Sequence, residues 1–469
     1  MFVSGTDSID TIVDEVRKGV RTAHQVLDHY LERAERLNPA LNAFYEIHQE
    51  EAREQADSID SRLRAGAAPG RLCGVPIALK DLIDQAGQVT TAGSAFYRHR
   101  AKESATVVRR LEAEGAVIMG RTVLHEFAFG FSSENPWFGP VRNPWNLRLS
   151  PGGSSGGSAV AVAAGMAPAG IGTDTGGSVR VPAALCGLVG LKVTHGAIPL
   201  TGVFPLAGSL DTVGPMAKTV RDARVLFRVM SGYDPRDPWS TPSPAGADRI
   251  DRLQGLRIGV PSDWLSAVPT SAMVRDSFGL FCEDLSDLGA EVEMIEESGL
   301  KPGPLLQMVP AAEAAAVHRK WFADPDKPYG PDLEIRLGAA MEVSVDRYTE
   351  AMRWRAGIRN TAAKIFAAFD LLVTPAVGHA AKTIGEDTIE IDGQPLFYRE
   401  VLNGYSALVN MIGCPALALP TNRPDSPPPA IQLLAPWWGE EALLDVGELL
   451  EQTGLIGFTP PPPLPELPA

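Results

Sequence analysis

From Gly152 the chain runs for sixty residues whose charged side chains are Asp174, Arg180, Lys192 and Asp211, in a protein where 21% of all residues are charged. A stretch so poor in charge offers too little polar surface to lie in water, so it belongs to an interior. Its head, PGGSSGGSAVAV (151–162), puts four glycines and three serines into eight positions before small apolar residues take over. A flexible Gly/Ser linker joins polar surfaces. Here an apolar body follows at once, so the glycines must serve close packing or unusual backbone turns around the serines.

Elsewhere helical and strand patterns alternate. Residues 8–36 read as two helices, the second opened by Thr22 and carrying Val26, Leu27, Tyr30, Leu31 and Leu37 on one face. Residues 49–65 form a charged helix, and GVPIALKD (74–81) reads as a buried strand ending on a lysine. ATVVRRLEAEGAVIMG (105–120) is a helix, a stop at Gly115 and a short buried strand, the repeating element of a wound sheet. Similar changes near 219–260, 272–295 and 356–374 predict one α/β body with a mixed sheet. The expected organisation is an N-terminal helical segment (1–70) packed on the core, an α/β domain over 71–458 with a variable substrate-covering region at about 300–400, and a Pro-rich tail (459–469) that is extended or disordered.

Charge excludes some partners. Against 42 basic residues stand 57 acidic ones, a net charge of −15 without a basic run, which argues against nucleic acid and against anionic membranes. The start, MFVSGTDSIDTIVDEV, lacks the basic-then-apolar pattern of a signal peptide, and the weakly apolar run 159–172 contains Pro168 and makes a poor membrane span. Cys73, Cys186, Cys282 and Cys414 sit in neither a zinc nor a disulfide spacing, which fits a reducing cytoplasm.

The glycine block itself admits several chemistries. No G-x-x-x-x-G-K-[ST] is present to cradle phosphate, and His125-Glu126 begins an H-E-x-x-H that Phe129 fails to close, so no metal site is expected. The nucleophile-elbow pattern G-x-S-x-G is satisfied twice, by Gly152, Ser154 and Gly156 and by Gly153, Ser155 and Gly157. A Ser/His/Asp esterase of the α/β-hydrolase kind would then draw its histidine from His195, His318 or His379.

A second Gly-Gly-Ser, at Gly176, Gly177 and Ser178, lies in GIGTDTGGSVRVPAALCGLVGLK (170–192), and Lys80 stands in an apolar strand upstream. With GPVRNPWN, GSLDTVGPMAKTVRDA, LLVTPA and GCPALALP, these stretches resemble the amidase signature family, most specifically over about 75–215. The resemblance implies a single large domain whose central mixed, twisted sheet of about ten or more strands is covered by helices on both faces. It implies Ser178 as nucleophile, Ser154 as a serine joined through a cis peptide to Gly153, and Lys80 as base. It further implies an oxyanion hole from Thr175, Gly176, Gly177 and Ser178, with Ser155, Asp174 and Arg180 supporting the loop. The chemistry agrees: a serine needs a base, a lysine serves only when neutral, and the apolar neighbours Val75, Ile77, Ala78 and Leu79 favour the neutral form.

Arg180 reads as a structural partner for Asp174 or a loop carbonyl rather than a substrate ligand, and Asp211 reads the same way. Phe127, Phe129, Phe204 and Val181 are candidate walls of an acyl pocket, with Phe131, Trp437 and Trp438 as further aromatics that could line it or fill the core. Val181 stands where the aminoacyl-tRNA amidotransferase relatives resemble a glutamine-bearing version, which speaks against glutamine handling. The expected function is cofactor-free hydrolysis of a small neutral or aryl amide, carbamate or urea-like compound by a monomer or homodimer. The A-type component of a glutamine-dependent aminoacyl-tRNA amidotransferase is the alternative.

Overall fold

Leu371, Leu372 and Val373 are all buried, yet Leu371 and Val373 pack into one apolar core and Leu372 into another. Successive side chains of a strand point to opposite faces, so this division marks a sheet covered on both. Leu433 and Leu434 divide in the same way. The computed structural model describes residues 7–244, 249–423 and 427–464.

The sheet has eleven strands: β1 (Phe44–Ile47), β2 (Pro76–Lys80), β3 (Val117–Thr122), β4 (Ala169–Asp174), β5 (Val189–Lys192), β6 (Thr212–Ala217), β7 (Arg257–Pro261), β8 (Glu291–Ile295), β9 (Leu371–Pro375), β10 (Ala416–Pro420) and β11 (Ala430–Leu434). Their spatial order is β1-β3-β2-β4-β6-β5-β10-β11-β9-β7-β8. Pairings β3/β2, β2/β4, β9/β7 and β7/β8 are parallel and the rest antiparallel, so the sheet is mixed, as the sequence predicts.

Thr22 opens the helix Ala23–Leu41 with a reciprocal cap: its hydroxyl accepts the Gln25 amide while the Gln25 side chain accepts the Thr22 amide. Val26, Leu27, Tyr30 and Leu31 are buried, and Leu37 is half-buried. The stretch before residue 70 also supplies β1, which pairs with β3 at the sheet edge. Four residues, FYEI, are too short to display a strand period against the helices on either side.

The apolar body after the glycine block is the helix Gly156–Ala163, buried at all eight positions. A side chain at Gly157 would stand 2.4 Å from the Val123 carbonyl oxygen and 2.5 Å from that of Ala43, so only glycine lets this helix seat on the neighbouring backbone.

Between 300 and 400 the chain forms helices Met308–Phe322, Pro331–Met341 and Val345–Phe366, then β9 and the hairpin Thr388–Ile391/Gln394–Phe397. From Thr459 to Leu464 it is neither helix nor strand, with Leu464 against the main core; the tail reading for 465–469 and the leader reading for 1–6 lie outside the described residues. Among the described residues no helix is long and apolar enough to cross a membrane.

Candidate active site

β2 and β4 are parallel neighbours, so their last residues reach the same edge of the sheet. There Lys80, fully buried, donates from Nζ to Ser154 Oγ at 2.8 Å and to Thr173 Oγ1 at 2.7 Å. Burial pushes the Lys80 ammonium down to about 7, with Asp174 and Asp211 opposing the shift. The Gly153–Ser154 peptide is cis, and the Ser154 carbonyl accepts from the His125 amide at 3.1 Å and the Ser133 hydroxyl at 3.3 Å.

β4 continues into the turn that carries Ser178. Asp174 organises this turn: its Oδ1 accepts the Gly177 amide at 2.7 Å and its Oδ2 the Val179 amide at 3.2 Å. Burial alone would raise the Asp174 carboxyl, but the Arg180 guanidinium holds it well below the usual carboxylate range. Arg180, fully buried and not on the cavity wall, also reaches Gln432, Asn410 and the Ser406 carbonyl. Gly177 takes φ +127°, and a side chain there would collide with Ser406 Oγ at 2.1 Å. Ser155 steadies the turn from below, its amide donating to the Ser178 carbonyl at 3.3 Å and its hydroxyl to the Thr173 carbonyl at 3.2 Å.

One oxyanion-hole expectation changes. The Gly177 amide is already committed to Asp174, whereas those of Thr175, Gly176 and Ser178 find no acceptor among the described residues. Ser178 lines a cavity of about 590 Å³ together with Thr175 and Gly176, and its hydroxyl makes no hydrogen bond among the described residues.

The acyl-pocket expectations divide. Phe129 and Phe131 line the cavity. Phe127 and Phe204 do not: Phe127 is fully buried with φ +48°, and both rings pack among Tyr97, His318 and Trp321. Val181 is fully buried on the helix Arg180–Cys186, against the backs of Gly152 and Gly177, and not at the cavity. Trp437 and Trp438 are half-buried and pack against the cores.

Leu210, from the stretch GSLDTVGPMAKTVRDA, also lines the cavity, and the rest of the wall comes from segments without a sequence motif, among them Leu206, Val268, Leu306, Val343 and Met411. Two cationic side chains there escaped the sequence reading. Arg336 stacks over Phe129 at 4.3 Å and donates to Asp332 at 3.2 Å, while its Nε has no hydrogen-bond partner among the described residues. Arg399 pairs with the same Asp332. Burial and the neighbouring Arg399 push Arg336 down to about 10. Asn410 and Gln432 carry no signal in the sequence because each meets the site only through tertiary contact, whereas Thr173 sits within the quoted 170–192 block and goes unmarked there because its hydroxyl meets Lys80 only in the fold.

The histidines of the esterase alternative stand elsewhere. His195 Nε2 bonds the Gly208 carbonyl at 2.9 Å, His318 Nδ1 the Tyr329 hydroxyl at 3.0 Å and His379 Nδ1 the Ala381 carbonyl at 2.9 Å.

Known proteins resemble this arrangement along nearly the whole chain. A family model described as Amidase matches residues 25–444. The A-type component of the glutamyl-tRNA(Gln) amidotransferase of Pseudomonas syringae pv. tomato is 36% identical over 454 residues, 90% of this chain and 92% of that protein. AtzE of Pseudomonas sp. strain ADP, a component of 1-carboxybiuret hydrolase, is 35% identical over 465 residues, 95% of this chain and 98% of its own. Among solved structures, a chain of a vestigial protein complex that reveals the origins of an s-triazine catabolic enzyme superposes with a TM-score of 0.89 at 32% identity, covering 97% of this chain and all of that one.

Proposed function

This chain belongs to the amidase family, whose signature enzymes hydrolyse C–N bonds of amides, and on that premise we propose that it is an amidohydrolase working through a Ser178 acyl-enzyme. The observation that carries the reading is Lys80 Nζ at 2.8 Å from Ser154 Oγ, in a setting that favours the neutral amine. Ser178 Oγ attacks the amide carbon. Its proton passes to Ser154 Oγ, whose own proton goes to Lys80 Nζ. The oxyanion is met by the amides of Thr175, Gly176 and Ser178. Collapse breaks the C–N bond, and the amine leaves with the proton that Lys80 returns through Ser154. Water then repeats the sequence on the ester and frees the acid and Ser178.

The apolar walls favour a neutral or aryl acyl group, in an amide, carbamate or urea-like compound, handled by a monomer or homodimer. Cysteines that are free among the described residues accord with a reducing cytoplasm. A second reading, the A-type component of a glutamine-dependent amidotransferase, is favoured by the 36%-identical relative and by two guanidiniums, Arg336 and Arg399, sharing one carboxylate at the cavity. Incubating the purified single chain with an aryl amide, an aryl carbamate and glutamine, and measuring released amine or ammonia, separates the two. Turnover of the aryl substrates supports the amidohydrolase; release of ammonia from glutamine alone supports the amidotransferase.

A further inference from the structure

One carboxylate beside the nucleophile turn neither takes nor gives a proton in the relay, although its charge acts on Lys80. Asp211 precedes β6, is 5% exposed, and accepts three hydrogen bonds. Its Oδ1 takes the Thr175 hydroxyl at 2.5 Å; its Oδ2 takes the amides of Leu206 at 2.9 Å and Ala207 at 3.0 Å. Among the described residues no Lys, Arg or His pairs with it. Burial without a paired cation pushes the carboxyl up to about 6.

These donors belong to the working surface. Thr175 supplies one of the three amides without an acceptor, and Leu206 lines the cavity beside Ser178. An ionised carboxylate is all acceptor and suits three converging donors; an amide has one oxygen and turns N–H groups toward the remaining donors. The carboxylate is therefore matched to its partners in kind as well as in position.

We propose that Asp211 is a positioning residue for the hydrolysis: through the Thr175 hydroxyl it sets the oxyanion-binding amides of the Thr175–Ser178 turn, and through the 206–207 amides it docks a wall of the cavity onto that turn. The proposal rests on the acyl-enzyme reading. It differs from a merely structural role in a definite way. A structural carboxylate affects how much enzyme is folded; a positioning one changes how well the folded enzyme binds the tetrahedral state.

The test uses the full chain with Asp211→Asn, Thr175→Val and Thr175→Ser. Wild type is measured first, on an aryl amide and with a serine-directed covalent probe; no turnover and no label at Ser178 would remove the acyl-enzyme reading itself. With an active wild type, Asp211→Asn and Thr175→Val lower kcat by about 10²-fold with KM within about threefold, the scale of a small misplacement of catalytic groups. Affinity for a boronic acid, which forms a tetrahedral adduct on serine, falls by a similar factor. Thr175→Ser keeps the hydroxyl and stays within about threefold of wild type, and the Asp211→Asn/Thr175→Val double variant is no slower than the worse single one. A folded Thr175→Val enzyme with wild-type kcat, a loss confined to KM, or a Thr175→Ser as slow as Thr175→Val overturns the proposal. Should Asp211→Asn fail to fold, the two Thr175 variants decide the matter.

Discussion

Arg180 grips both carboxylate oxygens of Asp174, Nε on Oδ2 and Nη2 on Oδ1, each at 3.0 Å, with both side chains fully buried. The same carboxylate accepts the Gly177 and Val179 amides that flank Ser178. The ion pair is thus the frame on which the turn carrying Ser178 is bent. Asp174→Asn strands a buried guanidinium and is expected to cost about 3–5 kcal/mol of stability, the scale for a buried pair broken on one side. Arg180→Met together with Asp174→Leu should recover part of that stability in urea unfolding but no turnover, because the turn amides still lack their acceptor. Turnover in the double variant would show that the turn holds itself.

Ser178→Ala should abolish hydrolysis, with a loss of several orders of magnitude, and with it any covalent mark from a serine-directed inhibitor. Mass spectrometry of the labelled wild type should place the adduct on Ser178. An adduct on Ser154 or Ser155 would reverse the assignment of the serines.

None of the candidate histidines should be needed. His195 and His318 are pushed down to about 4 by burial, and neither they nor His379 hydrogen-bond to Ser154 or Ser178. Replacing each singly should leave kcat within about tenfold, short of the 10²–10⁴ typical of a general base. A larger loss at any one of them would speak for a Ser/His/Asp mechanism.

The residues that could be read from the sequence are those held by local chemistry. Glycine patterns and a lone lysine in an apolar strand stand out because few folds need them; the structure sets Lys80 against Ser154, with a cis peptide before Ser154, and puts Ser178 on the wall of a cavity. The pocket wall could not be read in that way. Phe127 and Phe204 look like Phe129 in sequence, but only packing against helices Met308–Phe322 and Pro331–Met341 decides which ring turns outward. Arg336 lies in a helix whose sequence offers no motif, and it gains meaning from Asp332, Arg399 and Phe129. The strand β1 is hidden in the sequence because it is four residues long and is completed by its partner β3.

A lysine that must be neutral to work imposes a pH profile. With Lys80 at about 7, kcat/KM should rise from acid pH, bend near neutrality and level off above it. Lys80→Arg should be inactive throughout, since a guanidinium stays protonated in any workable buffer. A flat profile from about pH 5 to 9 would mean that the titrating base is another group.

The same lysine should weigh on the stability of the fold. Its pKa is lower in the folded protein, about 7, than the 10.5 of an exposed lysine, so the unfolded chain binds its proton more tightly. Folding is therefore penalised fully below about 7, and the penalty fades as pH rises through the window up to the unfolded value. At about 1.4 kcal/mol for each tenfold difference in proton affinity, the penalty amounts to a few kcal/mol at neutral and acid pH. Lys80→Met, close in volume, should remove it while leaving the Ser154 and Thr173 hydroxyls without that donor, which offsets part of the gain. The expected result is an inactive protein with a higher Tm than wild type, the difference being larger at pH 6 than at pH 9. A difference that grows toward alkaline pH would show that the ammonium is stabilised in the folded protein, and the neutral-lysine relay would have no basis.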